Sequence, residues 1–146
     1  MSEFLHRLPE FAANHLLLVM VLVVLLVSLV GNEMSRVFRG YRELTPAALT
    51  RLINRDSPLL FDFSANAEFE KAHIPGARNI QMSQFDPETK ELVAIKDRPI
   101  ALYCKTGTTS GQAAARLVKA GFKQVFWLGG GIASWREASL PLAKGR

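Results

Sequence analysis

The chain has 146 residues, a formal net charge of +5 and a single cysteine, Cys104, which allows one small domain with an appendage. One cysteine excludes an intramolecular disulfide and a cysteine-only zinc site, and it is typical of a reducing compartment. The positive charge suits a domain beside an anionic membrane surface, and since no nucleic-acid recognition motif accompanies it, we expect no nucleic-acid partner.

A long apolar segment lies near the N-terminus. Residues 11–32 contain no charged side chain, and residues 16–27 are an unbroken apolar run. A helix rises about 1.5 Å per residue, so about 20 apolar residues cross a hydrocarbon core of about 30 Å. We therefore predict a transmembrane helix over residues 11–32, after a short N-terminal arm of residues 1–10. The alternatives are a cleaved signal peptide and a buried core helix.

The charges beside this segment predict its orientation. Arg36, Arg39 and Arg42 follow the apolar residues, whereas Arg7 is the only arginine or lysine before them. Basic flanks remain on the cytoplasmic side of a membrane. We therefore expect a single pass through the inner (cytoplasmic) membrane, with the lipid bilayer as a partner. The N-terminus lies outside, residues 33–40 form a linker, and residues 41–146 form a cytoplasmic domain.

Short apolar strands alternate with helical segments beyond the linker. The sequence predicts strands at residues 59–61, 77–80, 100–103 and 124–128. Helices are predicted at residues 46–53, 66–71 and 110–120, with a last short helix bearing Trp135. This alternation predicts an α/β fold with a parallel sheet covered on both faces. In open sheets of this kind, functional sites lie at the carboxyl ends of the strands.

Cys104 occupies such a position, directly after one strand and before a helix. The loop that it begins reads Cys104, Lys105, Thr106, Gly107, Thr108, Thr109, Ser110. A glycine, several hydroxyls, inward-pointing N–H groups and a helix N-terminus would together stabilise an anion. Such surroundings lower the pKa of a thiol, so we predict a nucleophilic cysteine. The alternative is a buried cysteine that acts as a small hydrophobic residue.

Three blocks of sequence resemble the rhodanese-like domain family, over about residues 40–143. Residues 69–80 resemble its early signature, and residues 104–109 resemble the six-residue active loop of its sulfurtransferases. Residues 129–135, followed by Leu140 and Pro141, resemble its closing Gly-Gly-x-x-x-Trp and Leu-Pro motifs. The resemblance implies a rhodanese-like parallel five-stranded sheet flanked by helices. A single rhodanese domain behind a membrane anchor is a known bacterial arrangement.

The resemblance also implies covalent sulfur transfer at Cys104 without a cofactor or a metal. The thiolate would take sulfur from a small anionic donor such as thiosulfate, and a thiol or cyanide would accept it from the persulfide. The expected substrate-binding loop is Lys105, Thr106, Gly107, Thr108 and Thr109. Asp62 and Ser110 are expected to support the site, Asp62 by hydrogen bonding to loop backbone.

Two other functions remain open on the same fold. The family usually follows its early aspartate with x-Arg, but Asp62 is followed here by Phe63 and Ser64. A catalytically weak or inactive interaction module beside another membrane protein is therefore the alternative. A phosphatase or arsenate reductase would need an arginine six residues after the cysteine, where this chain has Ser110.

Overall fold

The computed structural model describes residues 7, 9 and 11–145, and the chain divides into two compact units, residues 1–38 and 39–146. The first unit contains helix α1 (Leu16–Phe38). Its segment Leu16–Ser35 is unburied and is long and apolar enough to cross a membrane. The helix continues over residues 33–38, which we had assigned to the linker. The predicted arm, residues 1–10, lies outside the described residues except for residues 7 and 9.

The second unit is built on a five-stranded, wholly parallel sheet. Its strands, in spatial order, are β1 (Tyr41–Leu44), β5 (Val125–Leu128), β4 (Ile100–Tyr103), β2 (Leu59–Asp62) and β3 (Arg78–Asn79). Its helices are α2 (Pro46–Asp56), α3 (Asn66–Lys71), α4 (Lys90–Val93), α5 (Thr108–Lys119) and α6 (Gly131–Glu137). The predicted α/β fold with a parallel sheet is confirmed.

The central strand β4 is buried on both faces. Alternation along a strand sends successive side chains to opposite faces. Ile100, Leu102 and Cys104 accordingly pack in one hydrophobic core, whereas Ala101 and Tyr103 pack in the other. The strand direction therefore places the cysteine side chain under α5, in the core that α5 covers.

Helix α2 begins as its sequence predicts. The Thr45 hydroxyl accepts the Ala48 N–H at 3.3 Å, and Pro46 is the first helical residue. A threonine cap satisfies one N–H that the helix leaves unpaired, and proline fits where no N–H is needed. The predicted start of this helix is therefore confirmed.

Helix α5 begins at Thr108, two residues before the predicted position. It ends at Lys119. Two residues later Gly121 adopts a φ of 93°, and the next N–H, that of Phe122, donates to the Leu117 carbonyl at 3.1 Å. This closure satisfies carbonyls at the helix end, as a left-handed glycine allows. The predicted helix end is therefore confirmed.

Strand β1 was not predicted from its residues. Its middle positions, Arg42 and Glu43, are charged and exposed, so no apolar run marks it. β1 lies at one edge of the sheet, where charged side chains are common because they discourage pairing with another chain. Its existence depends on parallel pairing with β5, which is distant in the sequence.

His73 and Trp135 are structural. His73 Nδ1 lies 2.8 Å from the Phe69 carbonyl oxygen, and its ring stacks on Phe69 with centroids 3.9 Å apart. The Trp135 indole N–H donates to the Pro141 carbonyl at 2.9 Å, which joins the two parts of the closing motif. These residues hold the fold together and have no contact with the thiol within the described chain.

Leu117 offers a test of the core under α5, because its side chain is fully buried. Leu117→Ala should lower the free energy of unfolding by about 2–5 kcal/mol, since it leaves a cavity. Urea unfolding of the full chain in detergent measures this by tryptophan fluorescence, because both tryptophans lie in the second unit.

The matched control is Gln112→Ala, at an exposed position of the same helix. It should change the free energy of unfolding by less than about 0.5 kcal/mol. Equal effects of the two substitutions would contradict the assigned core.

Candidate active site

Cys104 is the first residue after β4, at the carboxyl edge of the sheet. Its side chain is only 3% exposed and belongs to the core that includes Phe63 and Phe85. Those two rings pack edge to face, with centroids 4.9 Å apart. The thiol therefore has an apolar wall on one side and the loop that leads to α5 on the other.

Two groups of the loop are directed at the sulfur. The Gly107 N–H donates to Cys104 Sγ at 3.0 Å, and Ser110 Oγ lies 3.5 Å from it. Gly107 adopts a φ of 100° and is the N-cap of α5, a backbone conformation that glycine adopts readily. This places the positive end of the twelve-residue helix α5 beside the sulfur.

These contacts and the burial of the thiol shift its pKa in opposite directions. Burial raises the pKa of Cys104. The N–H and hydroxyl of Ser110, with the N–H groups of Thr106 and Gly107, lower it by more, so the pKa lies below its ordinary value. A lowered pKa increases the thiolate fraction, and the thiolate is the nucleophile.

The other residues of the predicted loop lie farther out. Lys105, Thr106 and Thr108 are exposed, and Thr109 is half-buried. Within the described chain, no threonine hydroxyl of the loop contacts the sulfur, and Thr106 acts through its backbone N–H. The loop therefore presents backbone donors to the thiol, with Lys105 at its exposed rim.

The turn after β5 supports the loop, and sequence reasoning assigned that turn only a role in chain reversal. The Ile132 N–H donates to the Cys104 carbonyl at 2.9 Å. At Gly131, with a φ of 62°, an added Cβ would collide with the same carbonyl. At Gly107, an added Cβ would lie 2.8 Å from an atom of the Trp127 ring. The run of three glycines was the signal in the sequence that could have indicated this support. The contact of this turn with the Cys104 carbonyl depends on the packing of the sheet.

Asp62 is fully buried at the end of β2. Its Oδ1 accepts the Ser64 N–H at 2.7 Å and also the Ser64 hydroxyl, and its Oδ2 has no hydrogen-bond partner among the described residues. Burial, followed by the charge of Asp62, raises the pKa of Tyr103. Asp62 thus holds the turn after β2 through Ser64, which stands where the resemblance expected an arginine.

Groups of three or more histidine, cysteine, aspartate or glutamate side chains are the usual metal sites. None with suitable geometry occurs among residues 7, 9 and 11–145.

Comparison with known proteins identifies the family of this fold. Residues 45–138 match the rhodanese-like domain, so the chain belongs to the rhodanese-like domain family. "Uncharacterized protein YibN" of Escherichia coli K12 is 30% identical over 143 residues, which cover 97% of this chain and 100% of that protein.

Two further proteins are similar to the second unit. "Sulfurtransferase" of Allochromatium vinosum is 35% identical over 92 residues, which cover 63% of this chain and 84% of that protein. The crystal structure of a rhodanese-related protein from Thermoplasma volcanium matches with a TM-score of 0.60 at 27% identity. It covers 70% of this chain and 98% of that chain. Sulfurtransferases are thus among the relatives, and they support a sulfurtransferase-type role.

Ser110 tests the electrostatics of the site. Ser110→Ala removes one donor that lowers the pKa of Cys104, so that pKa should rise. The pH dependence of iodoacetamide alkylation, followed by intact mass, reports the thiolate fraction of this lone cysteine. In the unsubstituted chain the alkylation midpoint should lie below that of an unstructured cysteine peptide measured under the same conditions, because the pKa of Cys104 is lowered.

Thr106→Ala is the matched control, because it removes a hydroxyl from the same loop but keeps the backbone N–H. Its alkylation midpoint should equal that of the unsubstituted chain. An unchanged midpoint in Ser110→Ala, or a similar rise in both variants, would contradict the assigned donors.

Proposed function

We propose that this protein is a membrane-tethered sulfurtransferase that carries sulfane sulfur as a persulfide on Cys104. The observation that carries the proposal is the thiol at the start of α5, with the Gly107 N–H 3.0 Å from its sulfur and a lowered pKa. A buried cysteine that served only for packing would have no need of such donors. Membership of the rhodanese-like domain family and a sulfurtransferase relative support the same class of reaction.

The proposed reaction has two displacement steps. The Cys104 thiolate attacks the outer sulfur of thiosulfate, the bond between the two sulfurs of thiosulfate breaks, and sulfite leaves with the electron pair. An acceptor thiolate or cyanide then attacks the outer sulfur of the persulfide, and Sγ leaves as a thiolate. No external oxidant or reductant is needed, because sulfur passes from one nucleophile to another.

The backbone donors can stabilise both the thiolate and the persulfide anion of Cys104. The N–H groups of Thr106, Gly107 and Ser110 lower the pKa of the thiol because they stabilise its anion. A persulfide is also anionic, and donors arranged in advance stabilise such charge without reorganisation. Lys105 is exposed at the rim, where it would attract a small anionic donor.

The tether is proposed from α1 and its flanks. Residues 1–10 form the arm, residues 11–32 span the inner membrane once, and residues 41–146 form the cytoplasmic domain. Leu16–Ser35 has the length and composition for the span, and the arginines after it favour a cytoplasmic domain. A reducing cytoplasm would keep Cys104 as a free thiol.

A second candidate function is an interaction module beside another membrane protein. The observation that favours it is the residue at position 64. Ser64 stands where the family usually has an arginine, and its N–H donates to the Asp62 carboxylate. A domain that lacks this cation would bind a sulfur oxyanion less strongly and could serve to hold a partner. A strain with Cys104→Ala that behaves like the unsubstituted strain would favour this function.

The persulfide gives the direct test. The full chain in detergent, treated with thiosulfate, should gain one sulfur atom in its intact mass. A Cys104→Ser chain should gain none, because it lacks the accepting sulfur. If a folded chain gains no sulfur from thiosulfate, from a persulfide or from polysulfide, the sulfurtransferase is refuted and the interaction module remains.

Lys105 tests the attraction of the donor. Lys105→Gln should lower kcat/KM for thiosulfate about fivefold at low ionic strength, mainly through KM, and the difference should shrink as salt screens the charge. The assay follows sulfite or thiocyanate release. Lys119→Gln, which removes the same charge from the far end of α5, is the control. Equal losses in the two variants would point to net charge instead of a local role.

A further inference from the structure

A basic groove lies on the face of the sheet opposite Cys104. It runs between β1 and α2 and has a volume of about 570 Å³. Arg42 from β1 and Arg51 and Arg55 from α2 line it, and Leu44 and Phe126 are among its apolar residues. Its walls therefore combine cationic groups with an apolar floor.

The positive charge of the groove is only partly compensated. Within the described chain, Arg42 and Arg51 form no ion pair, whereas the Arg55 guanidinium donates three hydrogen bonds of 2.7–3.0 Å to the neighbouring Asp56 carboxylate. The uncompensated positive charge of the groove therefore comes mainly from Arg42 and Arg51. The other acidic residue nearby, Glu43, follows Arg42 in β1 and lies against Gly129, and no carboxylate lines the groove.

These features match one chemical class of ligand. A guanidinium group binds phosphate oxygens through two parallel N–H donors, and Arg42 and Arg51 keep these donors available in the groove. The apolar floor suits the glycerol ester region of a lipid, which a free phosphate lacks. A phospholipid with net negative charge combines both parts.

The groove also lies at the beginning of the domain. Only Arg39 and Gly40 separate the end of α1 from β1. A chain extends at most about 3.6 Å per residue, so Arg42 lies within about 14 Å of the last residue of α1. If α1 crosses the bilayer, the groove stays within reach of the lipid headgroups.

We propose that this groove binds the headgroup of an anionic phospholipid and holds the domain against the membrane surface. Docking rests on the membrane tether of the proposed function and is independent of sulfur transfer. Cys104 packs on the other face of the sheet, so a domain docked in this way keeps its thiol available to donors and acceptors.

Arginine footprinting of the full chain tests this docking. The chain is reconstituted in nanodiscs of phosphatidylcholine, with or without phosphatidylglycerol, and treated with phenylglyoxal, an uncharged reagent for arginine. Arg42, Arg51 and Arg55 should react about fivefold more slowly in the anionic discs, given the attraction expected for each basic residue. Arg116 and Arg136, which are exposed elsewhere on the domain, should react equally in both.

Variants distinguish headgroup binding in the groove from general electrostatic attraction of the domain to an anionic membrane. Arg51→Gln should reduce the protection of Arg42 and Arg55, because the three share one headgroup. Lys90→Gln, which removes the same charge at an exposed position of α4, should leave it unchanged. Cys104→Ser should also leave it unchanged, so a failed sulfurtransferase and a failed docking site give different results.

Four outcomes with the reconstituted chain would overturn the proposal. These are equal reactivity in the two kinds of disc, equal protection of all five arginines, and loss of protection in Lys90→Gln. The fourth is the same protection in neutral discs on addition of inorganic phosphate or an acidic peptide, which would identify a free-anion or peptide site. A chain that does not enter the discs would refute the tether and the docking together.

Discussion

The burial of β4 on both faces is the constraint on which the site depends. All four of its residues lie within the two cores, so the residue that follows the strand enters the same closed region. Burial alone would keep Cys104 protonated. The fold offsets this by directing the Gly107 N–H, at 3.0 Å, and the start of α5 at the sulfur. Apolar packing thus fixes the thiol, and the polar groups of the backbone lower its pKa.

Neighbouring strands hold the end of β4 from both sides. The Phe63 N–H after β2 donates to the Tyr103 carbonyl at 2.8 Å, and the Ile132 N–H after β5 donates to the Cys104 carbonyl at 2.9 Å. The proposed sulfur transfer requires the nucleophile and its donors to keep their geometry through two displacement steps. Turns from three strands, and not the loop alone, provide that geometry.

The two faces of the sheet carry different properties. The thiol belongs to the face covered by α5, and the arginine groove to the face covered by α2. Under the two proposals, one face of the domain would meet the membrane while the other would exchange sulfur.

Part of this structure could be predicted from local patterns in the sequence. The charge-free run before residue 33, the Thr45 cap and the position of Cys104 between strand and helix are properties of adjacent residues, so they could be predicted directly. Strand β1, the support from Gly131 and the arginine groove could not. Each brings together residues that are far apart in the chain, and only packing of the sheet and its helices determines which of them meet.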